Sequence, residues 1–104
     1  MTLAELLSSA ASDLAGCAVD TAPGGATTWT RNKRPFVIVS ADGAIAEFGL
    51  DPAVAAAAIR TPDTAPSVRG RGWVAFAPVD LDDHAADRAV AWFASAHRRV
   101  GALD

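Results

Sequence analysis

The sequence has only one cysteine and no long apolar run, and these two facts exclude several classes of site and of protein. Cys17 has no second cysteine with which to form a disulfide or a metal site, and no basic neighbour in sequence to activate it, so we expect an inert thiol. No apolar run approaches the roughly 18 residues that a transmembrane helix requires. The first residues include Glu5 and Asp13 and lack a basic start. We therefore expect a cytoplasmic protein with no membrane partner.

The sequence also lacks a recognisable catalytic or cofactor-binding motif. Ser40 is not part of a Gly-x-Ser-x-Gly elbow, and neither His84 nor His97 has neighbours that assign it as a general base. Gly24-Gly25 and Gly70-Arg71-Gly72 lack the spacing and the following helix of a dinucleotide or phosphate-binding loop. We therefore expect neither enzymatic activity nor a cofactor.

An acidic cluster late in the chain is a candidate for metal binding. Asp83 and Asp87 are four residues apart and share a helical face, and Asp80 and His84 have the same spacing. The cluster lacks the pattern of an EF-hand loop, and a helix dipole by itself favours acidic residues in the first turn. We interpret the cluster as the start of a helix and expect no metal site.

Length and charge indicate one domain with an uneven distribution of cations. The 104 residues suffice for a single core, although 25 of them are alanine, which leaves few large apolar side chains. The net charge of −3 argues against a strongly cationic nucleic-acid binder. Residues 31–71 nevertheless carry six basic and four acidic residues, a formal charge of +2, whereas the remainder carries −5.

Hydrophobic periodicity and turn residues predict the order of elements. Thr2 and Glu5 have capping-box spacing before a helical pattern that stops at Gly16, and residues 20–28 are predicted to be a loop. Strands are then predicted at 29–31, 36–40 and 44–50, with a hairpin turn at Asp42-Gly43.

The second half of the chain is predicted to contribute two helices and one strand. Asp51-Pro52 opens a short alanine-rich helix that ends at Thr61-Pro62, and residues 73–77 form a strand whose partner the sequence does not reveal. A long last helix begins after Asp80 or Asp82. Its predicted packing face consists of Ala86, Ala89, Val90, Phe93, Ala96, His97 and Val100. The prediction is an α+β fold in the order α-β-β-β-α-β-α, with about three helices on an antiparallel sheet.

Two short basic segments are the strongest candidates for a binding site. Trp29 to Arg34 precedes a strand, Arg69 to Trp73 leads into another, and both have the composition of exposed strand connections. Their cations can neutralise phosphates, and either tryptophan can stack on a base; alternatively, both tryptophans pack in the core and the cations only solvate loops. The candidate nucleic-acid-binding residues are Arg31, Lys33, Arg34, Arg69 and Arg71.

The chain also resembles a known family over nearly its whole length. The resemblance lies in the hairpin from Phe36 to Phe48, the entry Leu50-Asp51-Pro52 into an alanine-rich helix, and the passage from Ala65-Pro66 to Gly72-Trp73-Val74-Ala75-Phe76. These features are similar to the YjbR/MmcQ family, which implies a fold like that of CyaY in a single domain, 1–104. The resemblance further implies a non-catalytic module that binds DNA through a "double wing" of two strand connections. The alternative is a protein-interaction or adaptor domain without nucleic-acid binding, and the sequence leaves the oligomeric state open.

Overall fold

The structure of the chain, a computed structural model, describes residues 2–102. Those residues form one antiparallel sheet in the order β1-β2-β3-β4-β6-β5 together with three helices. The elements are α1 (Leu3–Ala11), β1 (Cys17–Thr21), β2 (Thr27–Arg31), β3 (Arg34–Val39), β4 (Ala46–Gly49), α2 (Pro52–Ala58), β5 (Thr64–Pro66), β6 (Trp73–Phe76) and α3 (Asp83–Ala102). The predicted α+β class, with three helices and an antiparallel sheet, is confirmed.

Two strands lie in segments where the sequence predicted none. β1 and the beginning of β2 overlap residues 20–28, which had been assigned to a loop, and the turn residues Pro23, Gly24 and Gly25 occupy only the connection between them. β5 lies within residues 61–72, which are rich in proline and glycine and were predicted to contain no strand, and it pairs with β6. β6, whose partner was unknown, therefore lies between β4 and β5.

The helices begin where their capping residues predict. The Thr2 hydroxyl accepts the Glu5 N–H at 3.2 Å, and the Thr2 N–H donates to Glu5 Oε1 at 3.0 Å, which completes the capping box of α1. Asp51 and Asp82 each accept a backbone N–H from the first turn of α2 and α3, at 3.4 and 2.9 Å. Asp82, and not Asp80, therefore caps the long helix.

The core forms where one face of the sheet packs against α3. Trp29, Val37, Phe48 and Val74 are opposite one another on four adjacent strands, and each is at most 1% exposed. Ring contacts from this face reach Phe93 and Trp92 of α3. The predicted packing face of α3 is wrong at Val90, which is 36% exposed, and at Ala86, which is only half-buried; Ala85 and Trp92 are buried instead.

A β-bulge next to the β2–β3 turn places two consecutive side chains in the core. The register shifts between Trp29, opposite Val37, and Thr30, opposite Pro35, so Phe36 has no residue opposite it. Phe36 and Val37 are both buried, although neighbouring strand residues normally point to opposite faces. The bulge thereby sets the direction in which the turn leaves the sheet.

The other face of the sheet is half-exposed. Its central row consists of Thr28, Ile38, Glu47 and Ala75. α1 packs along α3, and α2 packs against β6. Within residues 2–102, no helix has both the length and the hydropathy that crossing a membrane requires.

Candidate nucleic-acid interface

The β2–β3 connection is a tight turn that carries Asn32 and Lys33 at its tip. Both residues have positive φ, 52° and 67°, which gives the two-residue turn geometry that suits a twisted hairpin. Arg31 and Arg34 flank the turn as a cross-strand pair, so their side chains leave the same face of the sheet. Lys33 and Arg34 are exposed, whereas Arg31 is half-buried.

Arg31 connects the hairpin to the last turns of α3. Its Nη1 atom donates to the His97 carbonyl oxygen at 3.0 Å and lies 3.3 Å from His97 Nδ1. His97 Nε2 lies 2.8 Å from the Ala15 carbonyl oxygen. Because a carbonyl only accepts, Nε2 carries the proton and Nδ1 accepts from Arg31. The guanidinium also lies against Gly101, where any side chain would collide with it. Arg31 therefore has a structural role, and His97 lines the packing face as predicted.

The β5–β6 connection, residues 67–72, holds the second group of cations. Arg69 Nε donates to Glu47 Oε1 at 2.9 Å, and the Ser67 hydroxyl donates to the other oxygen of the same carboxylate. The Ser67 hydroxyl in turn accepts the Arg69 N–H at 3.2 Å. Glu47 therefore neutralises one of the five predicted cations, a pairing that a separation of 22 residues concealed in the sequence.

Arg71 lies at the mouth of a small apolar cleft between α2 and the β5–β6 hairpin. The cleft has a volume of about 280 Å³ and an apolar lining that includes Ala55, Ile59, Pro66 and Val74. Arg71 itself is exposed. Gly72 has a φ of 84°, and its carbonyl accepts the Leu50 N–H at 2.9 Å, which fixes the connection to the end of β4.

The two connections lie at the same end of the sheet. Arg31 faces Arg34 at the turn, and the antiparallel registers then place Gly49 and Trp73 at that end of β4 and β6. Three strand spacings separate the middle of the β2–β3 turn from the middle of the β5–β6 connection, or roughly 14 Å at about 4.8 Å per spacing. The structure therefore brings the two predicted segments together along one rim.

The charges of the chain separate along the strand direction. α3 runs from Arg88, which lies 4.9 Å over the Phe76 ring at the far end, to His97 beside Arg31. We use the term basic end for the end of the sheet that carries Arg31, Lys33, Arg34, Arg69, Arg71, Arg98 and Arg99, seven of the nine basic residues. The opposite end carries Asp42, Asp63, Asp80, Asp82, Asp83 and Asp87. The basic end also carries Asp13 and Asp51, so the net charge of −3 conceals an excess of positive charge at this end.

The two tryptophans of the predicted site have different environments. Trp29 is 1% exposed and packs edge-on against Phe93 at 5.6 Å between centroids, so it is a core residue and cannot stack on a base. Trp73 is half-buried at the basic end, where its indole covers Gly49; a Cβ at Gly49 would lie 2.9 Å from the ring. Trp29 therefore packs in the core, as the alternative interpretation of the sequence has it, and of the two tryptophans only Trp73 remains a candidate for stacking on a base.

Comparison of the chain with protein-family models, with curated proteins and with solved structures gives no match. The similarity to the YjbR/MmcQ family therefore stays a prediction made from the sequence.

Two other candidate centres have ordinary structural environments. The acidic cluster surrounds the N-terminus of α3, and within residues 2–102 no three histidine, cysteine, aspartate or glutamate side chains are arranged to hold a metal ion. Partial burial raises the pKa of the Cys17 thiol, which disfavours the reactive thiolate.

Proposed function

We propose that this chain is a non-catalytic module that binds nucleic acid, in particular DNA, through its basic end. The observation that carries the proposal is the position of the two basic connections on one rim, roughly 14 Å apart at about 4.8 Å per strand spacing. A surface of this kind attracts phosphates although the whole molecule is acidic.

We assign the phosphate contacts to Lys33, at the exposed tip of the β2–β3 turn, and to Arg71, which is exposed in the β5–β6 connection. Arg31 is engaged with α3 and Arg69 with Glu47, so these two position the connections. Two phosphate contacts predict a slope of roughly −1.8 for log affinity against log salt on duplex DNA, at about −0.9 per contact. All five predicted residues in contact would instead give a slope of roughly −4.5.

The spacing of the two connections suits a duplex. Their separation is comparable with the roughly 12 Å width of the major groove, so each connection can contact the backbone of one of the two strands that border it. Phosphate contacts fix the position of a protein on DNA and carry no direct sequence information. We therefore propose binding with little base preference.

Charge reversal at matched positions tests the proposal. Lys33→Glu and Arg71→Glu change the basic end, whereas Arg60→Glu makes the same change of net charge at an exposed residue near the opposite end. Fluorescence anisotropy of a labelled duplex across a salt series should show weaker binding and a slope reduced by about 1 for each of the first two variants. Arg60→Glu should leave the slope unchanged. Equal losses in all three variants, or no salt-dependent binding by the natural chain, would overturn the proposal.

A protein-interaction or adaptor role is the second candidate, and a different observation favours it. β1 lies at an edge of the sheet and is exposed at four of its five residues. Exposed edge strands pair readily with a strand of another chain. A complex that uses this edge, together with no retention on DNA at low salt, would favour this function over the first.

A further inference from the structure

The two edges of the sheet built by residues 2–102 differ in their protection against strand pairing. β5 has only three residues, ends at Pro66 and follows Pro62, and both a short edge and prolines discourage pairing. β1 has five residues without proline, glycine or lysine, and Asp20 is its only charged residue. The β1 edge therefore lacks the usual features that prevent association.

Hydrogen-bond alternation identifies which backbone groups β1 directs outward. The Ala22 N–H donates to the Ala26 carbonyl at 2.8 Å, so this pair is bonded, and the pairs Asp20–Thr28 and Ala18–Thr30 follow with the same parity. The residues between them, Cys17, Val19 and Thr21, then direct their N–H and C=O groups to the outer side of β1.

The apolar core row also continues into β1 without cover. Val19 is opposite Trp29, which is opposite Val37, and these two residues are 1% and 0% exposed. Val19 is on the same face and is 61% exposed. A strand laid along β1 would satisfy the outward backbone groups and at the same time cover this side chain.

We propose that this strand is β1 of a second copy of the chain, antiparallel and centred on Val19. In that register Cys17 faces Thr21 of the second copy, Val19 faces Val19, and the outward groups of both strands pair with one another. Asp20 then faces Ala18 of the second copy, so no charge is opposite a like charge. The result is a continuous sheet of two six-stranded halves.

Alternation excludes a two-fold axis between two residues, and the symmetric registers next to the one at Val19 pair less of the strand. A two-fold axis at Ala18 or Asp20 keeps the alternation but pairs only three residues of β1 with β1 of the second copy, and an axis at Asp20 would also place two carboxylates opposite each other. An axis at Cys17 or Thr21 would leave most of the strand unpaired. Val19 is the only centre that pairs all five residues.

Dimer formation of this kind is independent of the proposed nucleic-acid binding. The two-fold axis is perpendicular to the sheet, so the basic ends of the two copies point in opposite directions. Each copy would therefore bind its own stretch of phosphates, and a variant that separates the copies should keep the affinity of each for DNA.

The first test is sedimentation equilibrium on the natural chain and on two lysine variants of β1. Val19→Lys places two lysines opposite each other and should raise the dimer dissociation constant by roughly tenfold or more. Ala18→Lys adds the same charge to the same strand but faces Asp20 of the second copy, so it should leave the dimer equally stable or strengthen it. Circular dichroism melting checks that both variants fold, and duplex binding checks that the basic end is unchanged.

A cross-linking test fixes the register. In a Cys17→Ser background, Val19→Cys should form an intermolecular disulfide on mild oxidation, because the Cα atoms of a bonded pair are about 5.5 Å apart. Ala18→Cys in the same background should not, because it faces Asp20. A natural chain that stays monomeric at high concentration, a dimer unaffected by Val19→Lys, or equal cross-linking through position 18 would each overturn the proposal.

Discussion

Arg31 and His97, 66 residues apart in the chain, form a contact that joins the β2–β3 turn to α3: Arg31 Nη1 is 3.0 Å from the His97 carbonyl oxygen. The same nitrogen is 3.3 Å from His97 Nδ1, and Nε2 of that ring reaches the Ala15 carbonyl. A single imidazole thus connects the hairpin, the last helix and the segment before β1. Arg31 therefore stabilises the basic end from a half-buried position, whereas Lys33, in the turn beside it, faces solvent.

Replacing Arg31 should therefore lower stability more than it weakens binding. Arg31→Gln removes a charged donor from a half-buried site, and we expect a loss of about 1–3 kcal/mol in the free energy of unfolding. Urea denaturation measures this loss, and Lys33→Gln at the exposed turn tip is the matched control. If Lys33→Gln is equally destabilising, the structural role of Arg31 is wrong.

Neutralising Glu47 should strengthen nucleic-acid binding. Glu47→Gln removes the carboxylate charge that pairs with Arg69, so this arginine becomes available to phosphates and the salt slope should steepen by about 1. The control is Asp63→Asn, which makes the same change of net charge at the opposite end, where asparagine tolerates the positive φ of 64°. Anisotropy titrations that show equal effects for both variants would contradict a specific role of Glu47.

Gly72 should tolerate substitution less well than Gly43, although both have positive φ. A Cβ at Gly72, where φ is 84°, would collide with the Leu50 carbonyl oxygen; at Gly43, where φ is 74°, nothing lies within 4 Å. Gly43→Ala reports the backbone strain alone, and Gly72→Ala should cost about 1–3 kcal/mol more because the backbone must move. Thermal and urea unfolding of the pair measure the difference. Equal losses would mean that the connection is not held against β4.

The β3–β4 turn should lose its stabilisation at acid pH. Asp42 Oδ1 accepts the Ser40 hydroxyl at 2.6 Å and the Ala44 N–H at 2.9 Å, and these bonds lower the pKa of the Asp42 carboxyl. Because the folded pKa lies below the unfolded value of about 3.9, the stabilisation is complete above that pH and disappears as pH falls through the folded pKa.

The stability difference between the natural chain and Asp42→Ala measures this effect. The difference should be constant near neutral pH and vanish in strong acid, which urea denaturation at a series of pH values can follow. A difference that persists unchanged into strong acid would show that the carboxylate charge is not its source.

The sequence predicted the elements that carry strong local signals and missed those that depend on distant partners. The Thr2 capping box and the Asp51-Pro52 helix start are encoded within a few residues, and both are present. β1 is short and has only one larger apolar residue, Val19, and it is a strand because β2 supplies its hydrogen bonds. β5, which ends at Pro66, likewise exists only through its pairing with β6.

The candidate site, like the fold, was predictable from the sequence only in part. Cation-rich connections were visible as short basic segments beside turn residues, and the strand registers place both at one end of the sheet. Which cations face solvent was not visible, because Arg31 depends on His97 and Arg69 on Glu47. Such pairings are set by the order of the strands and the direction of α3, which local composition does not encode.

The separation of seven cations at the basic end from six aspartates at the far end gives the molecule an electric dipole moment along its strands. In the field of a polyanion such a molecule turns before contact, so that the positive pole leads and the acidic pole trails. The same dipole would allow the protein, at low ionic strength, to adsorb to cation-exchange and to anion-exchange resins in opposite orientations.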